Sequence, residues 1–238
     1  MKPGTHSPLD VINQEIVSCH ACPRLARYIR EVAAIRRRAY RDQEYWGKPV
    51  PSFGDPSARL LIVGLAPGAH GANRTGRPFT GDRSGEYLYR ALHRAGFANQ
   101  AESHSAADGL ELHDAWITAA VHCAPPDNKP STEEISRCSN RFLEREFAAM
   151  PQVAVVVVLG KIAFDAWRSI LRKQGCDTRG WKFGHNLMYP GKPALVCSYH
   201  PSQQNTSTGR LTDAMLNDVF AGARKIIRSA PDLPAPRQ

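Results

Sequence analysis

The chain has 238 residues, 42% of them hydrophobic, which is enough to bury a full core without disulfides. Lys and Arg number 31 against 22 Asp and Glu, a formal charge of +9 that points to a polyanionic partner, most simply nucleic acid, with an unselective basic surface as the plain alternative. The start, residues 1–10, has no long apolar run and the longest such run, 153–159, is far too short to span a bilayer, so a secretory leader and a membrane span are excluded and a cytoplasmic location with reduced thiols is expected.

In chain order, residues 10–56 read as helical and then irregular, with Arg36-Arg-Arg38 and several prolines, packing onto the same domain as the rest. A Cys19-His-Ala-Cys22 turn followed by Pro23 lies inside this stretch. Four short, apolar, β-branched runs at 59–64, 115–121, 153–159 and 194–199 predict strands covered on both faces, as parallel strands are. Helical patterns separate them. Residues 84–95 carry Leu88 and Leu92 on one face, and 131–150 opens behind Pro130 with a Ser131/Glu134 capping box. Residues 161–173 space Ile162, Ala166 and Ile170 helically, and 211–228 do so with Met215, Val219 and Ile226. Alternation of this kind predicts an α/β fold, a three-layer α/β/α sandwich around a central four-stranded parallel sheet. Residues 1–229 make one domain, and the Pro-rich 230–238 read as a disordered tail.

In such sheets ligands bind beyond the carboxyl ends of the strands. The segments there are Leu65-Ala66-Pro67-Gly68, His122-Cys123-Ala-Pro-Pro126 and His200-Pro-Ser202, which should meet on one rim. Glycines in the first let a backbone approach a ligand, although the run is neither a P-loop nor a dinucleotide fingerprint.

Six cysteines in a reducing compartment favour metal or catalysis over disulfides. Cys19 and Cys22 supply one bend, Cys123 ends a strand, and Cys138 falls two turns into a helix, a set able to converge on a metal. Spacing leaves zinc, an iron–sulfur cluster and a redox dithiol open, though a zinc ribbon usually brings a second C-x-x-C turn. Cys176 and Cys197 read as ordinary small residues.

The run Asn73-Arg-Thr-Gly-Arg-Pro-Phe-Thr-Gly-Asp82 is far more specific. Together with Cys19 and Cys22, Cys123-Ala-Pro-Pro-Asp-Asn128 and Ser198-Tyr-His-Pro-Ser202, in that order from about Cys19 to Arg228, it resembles the family 5 uracil-DNA glycosylases. The resemblance implies a monofunctional enzyme of base excision repair that cuts the N-glycosidic bond of uracil in double- and single-stranded DNA. It also implies a 4Fe-4S cluster on Cys19, Cys22, Cys123 and Cys138 as a structural staple, and a monomer. Leu65 and Ala66 are apolar where the superfamily carries a water-positioning polar residue, so the carboxylate is sought at Asp82. Ala119 stands where the related family 4 places an Asn, which implies relaxed selection: uracil, hydroxymethyluracil, hypoxanthine, xanthine and ethenocytosine.

By this reading Phe79 stacks on a flipped base, His200 donates to its carbonyl oxygen as charge develops, and Asp82 guides the water. Asn128 is a second water or base contact, and the 65–68 backbone lines the base site. Gln203, Gln204 and Arg210 belong to a loop entering the minor groove, while Arg74 and Arg77, with Lys129, meet phosphates. Plain structural roles compete at several of these positions: core packing for Phe79, a helix N-cap for Asp82, a turn for Asn128 and solvated charge for the arginines. A non-catalytic DNA-binding module with a metal staple is the rival from another class. A covalently trapping relative would need a basic, histidine-bearing insertion, and only Asn73-Arg-Thr-Gly-Arg77 stands at that place. A phosphate-binding hydrolase is a further rival.

Overall fold

A computed structural model describes residues 7–230. The tail expected over 230–238 lies, after its first residue, outside the described residues.

The four expected strands form and pair in parallel. They are β2 (Leu60–Gly64), β3 (Ala115–Ala119), β4 (Val155–Leu159) and β6 (Ala194–Ser198), in the order β3-β2-β4-β6. Leu60 registers with Ala115 on one side and with Val155 on the other, so β2 lies centrally between the first crossover and the second. Two short strands extend this core antiparallel at its edges, β1 (Phe53–Gly54) on β3 and β5 (Met188–Tyr189) on β6, making a mixed six-stranded sheet.

Alternation along each strand sends side chains to opposite layers. Leu60, Ile62, Ile117, Val155 and Val157 pack against α4 (Arg83–Arg94) and α9 (Asp213–Ser229) through Leu88, Leu92, Leu216, Val219 and Phe220. Leu61, Val63, Trp116, Val156 and Val158 face the other way, onto α1 (Pro8–Val17) and α7 (Lys161–Lys173) through Leu9, Ile12, Ile16, Phe164 and Trp167. The sheet is therefore covered on both faces, each fully buried aliphatic or aromatic side chain contributing about 1.5–3 kcal/mol. Among the described residues no helix is long and apolar enough to cross a membrane.

The N-terminal stretch resolves into two helices, α1 and α2 (Pro23–Ile35), hinged at the Cys19–Cys22 turn. Ser7 caps α1 in a reciprocal box with Asp10, and Pro23 opens α2 at the position where a missing N–H costs nothing. The helix expected over 131–150 forms in three pieces. These are α5 (Thr132–Cys138), a π-helical turn over Ser139–Leu143 and α6 (Glu144–Ala148), and Ser139 Oγ donates to the Ala120 carbonyl at 3.1 Å inside the turn. Two short helices complete the chain, α3 (Ala72–Thr75) and α8 (Gln203–Ser207).

Candidate active site

Because the four central strands are parallel, their carboxyl ends share one rim, and a cleft of about 660 Å³ opens there. Its walls are the loop 64–71 after β2, Thr118, Ala119 and His122 at the end of β3, Phe79 and Asp82, and His200 after β6. Behind Thr118, Glu146 of α6, fully buried, accepts from Trp116 Nε1 at 3.2 Å and from the Thr118 hydroxyl.

Phe79 adopts a left-handed backbone (φ 50°), strained for an aromatic residue, and its surroundings enforce it. Tyr89 donates its hydroxyl to the Pro78 carbonyl at 2.7 Å. Gly85 leaves room for the Phe79 carbonyl, which a Cβ there would meet at 1.8 Å. The Phe79 ring rests over Gly64, and its centroid lies 5.7 Å from the His200 ring at a tilt of 32°. At that separation the two rings are in contact with each other and together border one part of the cleft.

His200 has its backbone fixed by Asn205, which donates to its carbonyl at 2.8 Å. No described residue pairs with its ring nitrogens. Desolvation pushes its pKa down to about 4, so the imidazole is neutral and carries one N–H at physiological pH. Asp82 performs two tasks at once. One carboxylate oxygen caps α4, accepting the Gly85 amide at 3.2 Å, while the other lies so close to the 64–71 loop that a Cβ on Gly71 would stand 1.9 Å from it. Burial raises the Asp82 carboxyl above its ordinary range, opposed by the Gly85 and Ser84 amides and by Arg74.

Leu65, Ala66, Pro67 and Gly68 all line the cleft, as do Asn128 and Lys129. Asn128 is exposed and left-handed (φ 55°), the second of two such residues after Asp127. Gln203 and Gln204 also reach the cleft, but from the one-turn helix α8, capped by Ser202, rather than from an open loop. Arg210 is exposed, its guanidinium 4.7 Å from the Tyr199 ring centroid.

Arg74 and Arg77 depart from expectation. Both are buried, with 8% and 4% of their surface exposed, and both are spent inside the protein. Arg74 donates to the His70 carbonyl at 2.8 Å and the Gly81 carbonyl at 2.6 Å, lying over the Tyr40 ring. Arg77 binds Thr80 Oγ1 at 2.9 Å, Ser103 Oγ at 3.1 Å and Asp108 at 2.8 Å, and this cation helps hold the Asp108 carboxyl well below the usual carboxylate range. They brace the segment that carries Phe79 and Asp82 and do not face phosphates. Arg37 of the Arg36–Arg38 run lines the cleft instead, with Tyr40 and His70, neither given a role in the sequence. The signal available for His70 was its place in the glycine-rich run after β2.

Comparison with known sequences bears on this rim directly. The profile of the Uracil DNA glycosylase superfamily matches residues 51–224, which span β2 through most of α9 and every cleft residue from the 64–71 loop onward. A type-5 uracil-DNA glycosylase of Mycobacterium leprae is 50% identical over 231 residues, covering 95% of this chain and 99% of its own. One from Thermus thermophilus is 48% identical over 215 residues, covering 90% and 95%. The chain belongs to the type-5 uracil-DNA glycosylase family. A type-4 uracil-DNA glycosylase of Sulfurisphaera tokodaii is more distant, 30% identical over 208 residues, covering 82% and 77%.

In this type-5 family member Cys19, Cys22, Cys123 and Cys138 line a second, small cavity with Leu25, Val121 and Phe142, behind His122. Burial raises the thiols of Cys22, Cys123 and Cys138, that of Cys123 to about 12, with neighbouring sulfurs adding to the effect on each. Partly buried sulfurs that repel one another as thiolates are a donor set that a cationic centre would satisfy, so they fit an all-sulfur metal group. Among the described residues no three His, Cys, Asp or Glu side chains converge on a point able to hold a single ion. Cys176 is exposed and Cys197 is buried in β6, both apart from this set.

Proposed function

We propose that this type-5 family member removes uracil from DNA by hydrolysing the bond between the base and its sugar, the first step of base excision repair. The observation that carries the reading is the placing of Phe79, His200 and Asp82 around one slot at the strand ends. A duplex base must leave the stack to be reached, and an extruded uracil stacks on Phe79. As the C1′–N1 bond lengthens, its electron pair moves into the base and negative charge gathers on a carbonyl oxygen. The neutral His200 N–H donates to that oxygen, a contact worth about 2.7–4 kcal/mol in comparable oxyanion sites. Water completes the reaction at C1′ on the face opposite the departing base. The Asp82 carboxylate orients it, takes up its proton and stabilises the cationic sugar.

The apolar Leu65 and Ala66 and the short Ala119 leave the slot with few polar groups to test a base edge. That supports a broad range including hydroxymethyluracil, hypoxanthine, xanthine and ethenocytosine. Asn128 contributes a second polar contact, and the exposed Gln203, Gln204 and Arg210 engage the duplex beside the vacated stack. The enzyme is read as a monomer acting on double- and single-stranded DNA in the cytoplasm.

Cys19, Cys22, Cys123 and Cys138 would hold a 4Fe-4S cluster. When bound, the cluster supplies a mechanical tie between the hinge of α1 and α2 and the 120–138 segment, with no electron passing in the hydrolysis.

The test is incubation with a uracil-containing duplex followed by alkali. Strand scission at the uracil is expected, and an intact strand with pure protein would overturn the reading.

A further inference from the structure

Tyr45 and His70 meet at the edge of the cleft, at a point the reaction above leaves unused. Tyr45, buried beyond α2, stands edge-on to His70 with ring centroids 6.1 Å apart at 80°. Its hydroxyl lies 3.1 Å from His70 Nδ1, and the same oxygen accepts the backbone N–H of Arg37 at 3.3 Å. A phenol has one proton to give. With Arg37 already donating to its oxygen, the pairing that uses every proton sends the hydroxyl hydrogen to Nδ1. The His70 hydrogen therefore sits on Nε2, for which no described residue supplies a partner. Desolvation, with Arg37 and Arg74 nearby, holds the His70 pKa below its ordinary value, so the ring stays a neutral donor. Arg74 clamps its carbonyl at 2.8 Å, which fixes the loop beneath it.

The rest of this corner is also made of donors. Arg37 is exposed, lines the cleft and forms no ion pair with any described acidic residue. The backbone N–H groups of Ala69 and His70 find no acceptor within the described chain. The Asp82 carboxylate is taken up against Gly68 and Gly71 of the same loop and as the cap of α4. Donors gathered without an acceptor suit an anion with several oxygens.

We infer that His70 Nε2–H and the Arg37 guanidinium together hold a backbone phosphate of the strand carrying the extruded nucleotide. The inference rests on the glycosylase reading and gives the cleft the phosphate grip that the inward-facing Arg74 and Arg77 do not provide.

The experiment is equilibrium binding to a duplex bearing a non-hydrolysable 2′-fluoro-deoxyuridine, repeated with neutral methylphosphonates at the phosphates flanking it. His70→Ala should weaken binding about tenfold, the scale of a hydrogen bond to a charged group. Its salt dependence should stay that of the native protein, since a neutral donor displaces no counterion. Arg37→Ala should weaken binding by a similar factor and reduce the salt slope by about 0.9. On the methylphosphonate duplex the His70→Ala deficit should vanish. His70→Gln, which keeps a donor near the same place, should recover most of the affinity and covers the case in which the alanine variant folds poorly. Tyr45→Phe should lose part of the affinity by freeing the ring. Native affinity in both His70 variants, or a deficit that persists on the methylphosphonate duplex, would overturn the inference. Because the probe cannot be cleaved, that outcome stands apart from whether the native protein releases uracil.

Discussion

The Phe79 and His200 rings are in contact, their centroids 5.7 Å apart and tilted by 32°, although they come from segments more than a hundred residues apart. Neither position is arbitrary. Phe79 is held in a left-handed backbone by the close approach of Gly85, and His200 follows β6 directly, with Asn205 of α8 on its carbonyl. An apolar platform and a hydrogen-bond donor therefore border one slot, and a base in that slot meets both.

Asp82 is a helix cap and a cleft carboxylate together, and one pair of substitutions separates the roles. Asn caps helices as well as Asp does, so Asp82→Asn should leave thermal stability nearly unchanged while single-turnover base release falls about a hundredfold or more. Asp82→Ala should lose the same activity and also about 1 kcal/mol of stability, read by denaturant melts. Native rates in Asp82→Asn would confine this residue to the cap.

His200 makes the reaction and the fold sensitive to acid in the same direction. Its native pKa is depressed to about 4 from 6.5, so between those values the unfolded chain takes up a proton that the native protein refuses. Its contribution to stability is complete above pH 6.5 and is lost as pH falls towards 4. Single-turnover rates should stay level while native His200 remains neutral and decline as pH falls towards its native pKa of about 4. The raised Asp82 pKa brings protonation of that carboxylate in above the ordinary range as well. The decline should be shallower in Asp82→Asn, and rates that rise on acidification would contradict a neutral imidazole donor.

Arg77 distinguishes a buried brace from a phosphate contact. Removing one partner of a buried ion pair costs about 3–5 kcal/mol, because the other charge is left uncompensated. Arg77→Met should therefore lower stability on that scale through Asp108, and activity should fall as the 77–82 segment loosens. The salt slope of DNA binding should be unchanged. A slope reduced by about one, with stability intact, would restore the phosphate role read from the sequence.

The gap between that reading and the structure has a physical cause. The four central strands were legible because uninterrupted β-branched runs have few other places to go, and the Ser131/Glu134 box marked the start of α5. The edge strands β1 and β5, two residues each, exist only through their pairing partners. The π turn at Ser139–Leu143 answers to the Ala120 carbonyl, which local sequence does not reveal. Arg77 looked solvated because its counter-charge, Asp108, lies 31 residues away. The 65–68 loop and His200 were readable since each follows a strand end, whereas Phe79 and Asp82 lie beyond α3 and were read through the family resemblance. His70 became visible only when Tyr45 and Arg37 folded against it.

The cysteine set carries its own check. Anaerobically purified protein should be brown and contain iron and acid-labile sulfide in near-equal amounts, and Cys123→Ser should lose the colour and melt at lower temperature. Zinc without sulfide in the native protein would contradict the cluster.

The most direct measurement of the central claim is free base. Under single-turnover conditions, a duplex with one uracil should yield one equivalent of uracil by mass spectrometry with the native protein, and at least a hundredfold more slowly with Asp82→Asn. No uracil from the native protein, or equal release by both, would contradict the account.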